Sequence, residues 1–251
     1  RLDWLFFWAG LSAFAGATRS CGGVGSSASG LPWWWMSWSP LQRLRVVVKA
    51  EMRGIPLLGW IPQQGMFVFV KREWREDGPW LRRALAYQRA CVSGGFADPG
   101  LLLVFPEGTD RSEERLASSN RYAAREGLPR TVLTLIPRVR GLWQVVRSLP
   151  EATVVDVTIG YRGGMAASEM DLARGDGPKE TVLWVRPLER RLIPGLEEED
   201  SGGGVGGEAD EGGRVAFEAW LRAVFWTKEA ILASWCRTDA TAADAPLVGR
   251  G

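Results

Sequence analysis

Residues 101–114, LLLVFPEGTDRSEE, decide which fold this sequence predicts. Five apolar residues lead directly into Pro106, Glu107, Gly108 and Thr109, and charged residues follow. A buried strand that ends in an acid, a glycine and a hydroxyl is typical of the carboxyl edge of a parallel sheet, where open α/β folds bind ligands. A strand that simply stops at a turn explains the local pattern equally well.

Strand patterns and helix-length segments alternate along the rest of the chain. Apolar strand patterns occupy residues 45–50, 66–70, 101–105, 131–136, 153–159 and 181–188. Helical patterns occupy residues 78–95, 112–127, 140–149 and 215–235. This alternation predicts an α/β fold with a partly parallel sheet that is flanked by helices.

The domain organisation follows from composition. Composition predicts that residues 1–194 form one domain. Residues 195–214 are acidic, rich in glycine and without an apolar period, which indicates a disordered insertion. Residues 215–236 then supply a C-terminal helix of the same domain, and residues 237–251 predict a disordered tail.

Bulk composition excludes several classes of function. The net charge is +2 over 251 residues, so the chain predicts no attraction to nucleic acid. The three cysteines, Cys21, Cys91 and Cys236, form no CxxC pair, which argues against a disulfide framework and against a metal site. The chain has no histidine, and therefore lacks the commonest general base. Any enzymatic hypothesis must explain that absence.

Aromatic and basic residues near the start suggest a membrane surface. The apolar stretch at residues 4–17 is shorter than the ~20 residues that span a bilayer, and it suits a buried or interfacial helix. Four of the 14 tryptophans cluster between residues 33 and 38. The basic residues that follow are Arg43, Arg45, Lys49 and Arg53. Tryptophan at headgroup depth beside basic residues suits anionic lipid, and core tryptophan with a charged face is an equal alternative.

Four short stretches occur in a fixed order: RLDW at 1–4, FVKREW at 69–74, FPEGTDRS at 105–112 and LIPRVRG at 135–141. This ordered set resembles the glycerolipid acyltransferases that acylate lysophosphatidic acid and other lysophospholipids, in the branch that contains lysocardiolipin acyltransferase. The resemblance runs from residue 1 to about residue 235. It implies a glycerolphosphate-acyltransferase-like fold with a membrane-interfacial N-terminal helical region.

The family's first motif is Asn-His-x4-Asp, and Asp3 matches its aspartate. The matching histidine is expected five residues before Asp3, so the sequence is expected to be cut inside the motif. The resemblance implies that this histidine, oriented by Asp3, deprotonates the acceptor's glycerol hydroxyl, which then attacks the acyl-CoA thioester. The alternatives are that Asp3 is only a helix-start acid and that the protein has lost its base.

The other motifs imply a phosphate site and an acyl-CoA pocket. Arg72 matches the second-motif arginine, whose planar fork suits a phosphate. Glu107, Gly108 and Thr109 match the third motif, with Glu107 expected to be catalytic and Gly108 to allow close approach of a ligand.

An arginine follows the threonine in many members of the family, but Asp110 stands there in this chain, and Arg111 comes next. Arg111 is therefore expected to help bind phosphate. Pro137 matches the fourth motif and is expected to shape the acyl-CoA side, while Arg138 and Arg140 add positive charge. Surface charge, helix capping and strand termination are the alternatives for these residues.

The sequence therefore predicts a membrane-associated, acyl-CoA-dependent lysophospholipid O-acyltransferase of the endoplasmic reticulum. Its expected partners are acyl-CoA as co-substrate, an anionic lysophospholipid such as lysophosphatidic acid or lysocardiolipin, and a membrane surface. No metal and no cofactor are expected. The alternative function is a catalytically inactive, lipid-binding pseudoenzyme of the same fold.

Overall fold

A computed structural model of the chain describes residues 44–54, 67–71, 73–95, 100–162, 174–196 and 208–243. These residues form two compact units. The first contains the described residues within 1–106 and 140–154, and the second contains those within 107–139 and 155–251. The domain boundaries expected from composition remain predictions.

The first unit contains a three-stranded sheet of order β2-β1-β3. Its strands are β1 (Leu44–Lys49), β2 (Val68–Val70) and β3 (Leu101–Leu103), and a 3-10 turn (Ala50–Gly54) follows β1. Both pairings are parallel: Val47 lies opposite Val68, and Leu44 lies opposite Leu101. The predicted α/β fold with a parallel sheet flanked by helices is confirmed.

Helix α1 (Trp74–Ser93) covers this sheet. Leu81 and Leu85, one helical turn apart, pack with Val68 of β2 and with Val145 of helix α3 (Val139–Ser148). Leu85 is completely buried and Val68 is 1% exposed. The apolar face of α1 therefore anchors the helix to the sheet.

The start of α1 lies earlier than the predicted residue 78. Glu73 occupies the N-cap position, and the Asp77 carboxylate accepts a hydrogen bond from the Lys71 amide at 2.8 Å. Pro79 lies inside the helix. Because proline has no backbone N–H, the helix lacks the hydrogen bond that this position would donate to the preceding turn. The helix ends at the glycines that the sequence indicated, with Gly95 at φ +73°.

The second unit contains helix α2 (Glu113–Arg125) and, except for its first residue, a two-stranded sheet of β4 (Val154–Arg162) and β5 (Glu180–Leu188). The Ser112 side chain caps α2 by accepting a hydrogen bond from the Arg115 amide at 3.3 Å. The predicted helix at 112–127 is thus confirmed. A short 3-10 turn (Arg190–Leu192) follows β5.

The C-terminal helix α4 (Glu208–Ala243) is longer than predicted at both ends. It begins inside the expected disordered insertion, 195–214, and it continues into the expected tail, 237–251. Arg214 stabilises the first turns by donating hydrogen bonds to Glu211 and Glu218. Buried apolar residues at helical spacing fix the middle of the helix: Phe217, Leu221, Phe225 and Leu232.

The predicted strand at 131–136 is wrong, because the structure forms no strand there. Side chains, rather than a neighbouring strand, bind the backbone of this segment. We call residues 131–136 the side-chain-bound segment.

The expectations about the membrane have different outcomes. Arg45 is 7% exposed on β1, so the prediction that it presents its charge to lipid is wrong. The expected N-terminal interfacial region and the tryptophan cluster at 33–38 lie outside the described residues. Across the described ranges, no helix combines the length and the apolar character that crossing a bilayer requires.

Candidate functional site

The site is built around the loop that follows β3, residues 107–111, which we call the motif loop. Gly108 has φ +69°, in the left-handed region that favours glycine. A Cβ atom on Gly108 would lie 3.1 Å from Cδ and 3.3 Å from Nε of Arg138. The exposed Arg138 side chain therefore lies directly against the Gly108 backbone, and a larger residue at this position would displace it.

Arg111 has a different position. Its Nε and Nη2 donate to the Val132 carbonyl oxygen at 3.1 and 2.8 Å. Two of its five N–H donors are therefore directed at one backbone acceptor. Arg111 therefore connects the motif loop to the side-chain-bound segment.

The acid and the hydroxyl of the motif loop also make specific contacts. Glu107 is half-buried, and its Oε2 accepts a hydrogen bond from the Leu135 amide at 3.2 Å. The Thr109 hydroxyl donates to Asp110 Oδ1 at 3.3 Å. Glu107 thereby lies beside the chain that leads to Pro137.

Pro137 is buried, two residues after Leu135. It lines a cavity of about 10 Å³ together with Phe225 and Trp226 of α4. This volume is at the lower limit of what a single water molecule needs. The expectation that Pro137 shapes an acyl-CoA pocket remains a prediction.

Side chains of α2 bind both ends of the side-chain-bound segment. The Asn120 amide accepts from the Thr131 N–H at 3.0 Å and donates to the Thr131 carbonyl at 2.9 Å. The Ser119 hydroxyl accepts from the Ile136 amide at 3.0 Å. These contacts replace the ladder that a strand would form, which satisfies the requirement that buried backbone groups find partners.

Glu229 of α4 binds the middle of the segment. Its Oε1 accepts from the amides of Val132 at 2.6 Å and Leu133 at 2.9 Å. Its Oε2 accepts from the amides of Leu133 at 3.1 Å and Thr134 at 2.8 Å, and from the Thr134 hydroxyl at 2.8 Å. Three successive amides that converge on one carboxylate form an anion-binding nest.

Sequence reasoning missed Glu229. It lies 97 residues from Val132. Locally it is one acidic residue on a charged helix, so no pattern near it marks the contact. Its neighbour Lys228 is buried and binds β4, where its amino group pairs with Asp156 and donates to the Val157 carbonyl at 2.8 Å.

Two predicted site residues, Asp3 and Arg72, lie outside the described residues. Next to Arg72 in sequence, the Lys71 amino group donates to Glu76 at 2.7 Å. The hydrogen bond and the negative charge of Glu76 raise the pKa of Lys71 above its ordinary value. Of the predicted residues that are described, the structure brings Glu107 and Arg111 to the same segment.

Comparison with known proteins identifies the family. Residues 29–162 match the family model described as Acyltransferase. The chain is 29% identical over 203 residues to lysocardiolipin acyltransferase 1 of Mus musculus, covering 79% of this chain and 46% of the relative. It is 26% identical over 253 positions to the Danio rerio protein of the same name, covering 99% of this chain and 53% of the relative.

A third relative is 1-acyl-sn-glycerol-3-phosphate acyltransferase delta of Homo sapiens, 26% identical over 206 residues that cover 81% of this chain and 48% of the relative. The chain spans about half the length of the curated relatives it matches. No solved structure matches it. The ordered motifs, the parallel sheet and the family match lead to one conclusion: this chain belongs to the acyltransferase family, in the glycerolipid group of its lysocardiolipin and 1-acylglycerol-3-phosphate acyltransferase relatives.

Proposed function

We propose that this chain carries the domain that transfers an acyl group from acyl-CoA to the free glycerol hydroxyl of a lysophospholipid. The names of the relatives support a lysophospholipid acceptor. The hydroxyl oxygen attacks the thioester carbonyl, the new C–O ester bond forms, and the C–S bond breaks. The hydroxyl proton passes to the general base and then to the departing CoA sulfur. The proposed base is a histidine oriented by Asp3, and Glu107 is proposed to be catalytic as well.

The observation that carries this proposal is the contact between Gly108 and Arg138. Within the described part of the chain, Arg138 makes no hydrogen bond or ion pair, and its side chain is exposed. Arg111 already donates twice to Val132. We therefore assign Arg138 as the principal phosphate-binding arginine of the motif loop, because its planar fork remains available for a bidentate contact.

This assignment explains how the chain can bind phosphate although Asp110 stands where many members of the family have an arginine. The arginine that follows the threonine in many members of the family has no counterpart at position 110. Arg138 brings a guanidinium to the same glycine from the Pro137 side. Thr109 and Arg111 complete the proposed acceptor site of the motif loop, and Pro137 is proposed to border the acyl-CoA. Arg72 is proposed to bind phosphate, as its match to the second motif implies.

The test is acyl transfer by the natural full-length protein, with acyl-CoA and a panel of lysophosphatidic acid, lysocardiolipin, lysophosphatidylglycerol and lysophosphatidylinositol. We expect Arg138→Ala to lower kcat/KM for the preferred acceptor tenfold or more, about 1.4 kcal/mol. Arg125→Ala removes a similarly exposed arginine from α2 and is the control. Equal activity of the Arg138→Ala variant and the wild type would exclude Arg138 from phosphate binding.

Asp3→Asn and Glu107→Gln test the catalytic assignment. We expect both variants to fold and to lose turnover. Retained activity in both variants would contradict the proposed roles. Wild-type protein that binds lysophospholipid without transferring any acyl group would instead support the alternative of a lipid-binding pseudoenzyme.

We further propose that the protein associates with a membrane, that of the endoplasmic reticulum. The outer face of α1 supports membrane contact. Trp80 and Tyr87, seven residues apart on one side, are 44% and 64% exposed. Arg83 lies on the same side of the helix as these rings, whereas Arg75 and Arg82 lie on the other flank of its exposed surface. None of the three arginines forms an ion pair within the described ranges. Exposed aromatic rings and arginines on one helix suit an anionic headgroup layer.

Vesicle sedimentation tests this second proposal. We expect Arg75→Ala, Arg82→Ala and Arg83→Ala in combination to weaken binding to phosphatidylserine vesicles by ~100-fold, at about 1 kcal/mol for each arginine. Binding to phosphatidylcholine vesicles should change little. Arg121→Ala with Arg125→Ala on α2 is the control. Undiminished binding of the triple variant would move the membrane contact elsewhere.

A further inference from the structure

The C-terminal helix α4 reaches the site through one carboxylate. We propose that Glu229 is a positioning residue, which sets the side-chain-bound segment in the conformation that the motif loop requires. The matched family segment ends at residue 162, so Glu229 lies well outside it. The inference rests on the acyl transfer proposed above, and it adds α4 to the machinery of that reaction.

The first step concerns Val132, whose peptide groups are held from two directions. Its N–H donates to Glu229 at 2.6 Å, and its carbonyl oxygen accepts both hydrogen bonds from Arg111. The position of the Arg111 guanidinium is therefore tied to the orientation that Glu229 imposes on Val132. A carboxylate on α4 thus acts on the motif loop through a single residue.

The second step concerns the amides that follow. Thr134 donates to Glu229 at 2.8 Å, and the next amide, that of Leu135, donates to Glu107 at 3.2 Å. Two carboxylates from distant parts of the sequence hold adjacent amides. Because Thr134 and Leu135 are buried, these amides cannot turn to water when a partner is lost. Removal of Glu229 must shift the segment, and with it the Leu135 amide that donates to Glu107 and the Val132 carbonyl that accepts from Arg111.

The third step separates positioning from folding. Lys228 attaches α4 to β4 without Glu229, through Asp156, the Val157 carbonyl and the Thr158 hydroxyl at 3.0 Å. Buried apolar residues of α4 add to this attachment. A change confined to Glu229 is therefore expected to leave the helix docked while releasing the segment.

The experiment uses Glu229→Gln in the full-length protein, because glutamine keeps the size of the side chain but replaces one acceptor oxygen with a donor. We expect at least a tenfold rise in KM for the lysophospholipid acceptor, an unchanged KM for acyl-CoA and little change in Tm. Glu126→Gln, at an exposed glutamate that forms no ion pair within the described ranges, is the matched control and should behave as wild type.

A double-mutant cycle tests the route through Val132. If Glu229 acts by placing Arg111, the double variant Glu229→Gln/Arg111→Ala should be no worse than Arg111→Ala alone. Strictly additive losses, or equal rises in both KM values with a fall in Tm, would overturn the positioning role.

Hydrogen exchange at residues 131–135 provides a readout that needs no turnover. The proposal expects Glu229→Gln to increase exchange there and to leave exchange in β4 unchanged. Unaltered exchange in the segment would overturn the inference whatever the activity. If the wild-type protein transfers no acyl group but Glu229→Gln still increases exchange in the segment, the proposed function is rejected and the contact between Glu229 and the segment is retained.

Discussion

Strand β3 and the side-chain-bound segment are both apolar runs, but their backbones are satisfied in opposite ways. β3 (Leu101–Leu103) pairs with β1 in a parallel ladder, and apolar contacts with α1 and α3 lie beside it. The side-chain-bound segment has no neighbouring strand in the described structure, and Asn120, Glu229 and Ser119 bind its amides. Backbone pairing resists any single side-chain change, whereas side-chain pairing makes the conformation depend on a few polar residues. The segment, which contacts the motif loop, is thus the part that single substitutions can reshape.

The largest expected effect is on the sheet side, where apolar burial dominates. Leu85→Ala should lower the free energy of unfolding by about 2–5 kcal/mol, because the side chain is fully buried between α1 and the sheet. Urea unfolding measures this cost. Ala86→Ser, at an exposed position on the same helix, should change stability by less than about 0.5 kcal/mol. A cost below about 1 kcal/mol for Leu85→Ala would contradict the packing described for the sheet.

The next effect concerns the start of the segment. Asn120→Ala should cost about 1–3 kcal/mol, because the buried Thr131 amide loses its acceptor and its carbonyl loses a donor. Arg121→Ala, at the exposed neighbouring position, should stay within about 0.5 kcal/mol of wild type. Thermal unfolding of both variants gives the comparison. Equal costs for the two would mean that the contacts between Asn120 and Thr131 contribute nothing.

A smaller effect is expected at the end of the segment, where two adjacent serines supply an internal control. Ser119→Ala removes one hydrogen bond to the half-buried Ile136 amide and should cost about 0.5–1.5 kcal/mol. Ser118 is exposed, and Ser118→Ala should stay within about 0.5 kcal/mol of wild type. Indistinguishable unfolding midpoints for the two variants would argue that Ser119 does not hold the segment.

The smallest effect is a dependence on pH at the exposed end of β2. Glu76 raises the pKa of Lys71 in the folded protein, so their pairing stabilises the fold below the unfolded-state lysine pKa of about 10.4. This contribution disappears as the pH rises through the raised pKa that Lys71 has in the folded protein. Glu76→Gln should therefore have a slightly lower Tm than wild type at pH 8, and the difference should vanish toward pH 11. A difference that grows with pH would reverse the assigned sign.

The sequence alone determined the features that local pattern controls. Apolar runs predicted β1 to β3, Ser112 and the following acids predicted the start of α2, and a glycine marked the end of α1. The ordered motifs identified the family, and they selected Glu107 and Gly108 as candidates. The strands, the helix ends and each single motif depend on residues within a few positions of one another, where periodicity and capping act directly.

Only the tertiary structure decided which partner each candidate site residue has. It directs Arg111 to a backbone carbonyl and brings Arg138 against Gly108. It also brings Glu229 to the side-chain-bound segment, 97 residues away in sequence, where it accepts hydrogen bonds from the backbone. Local propensity alone assigns this apolar segment to a strand. The physical reason is that backbone N–H groups donate to any well-placed acceptor, and a carboxylate on a distant helix satisfies them as well as a neighbouring strand does. Which of the two partners arrives is a property of the folded chain, because no local pattern brings either partner to the segment.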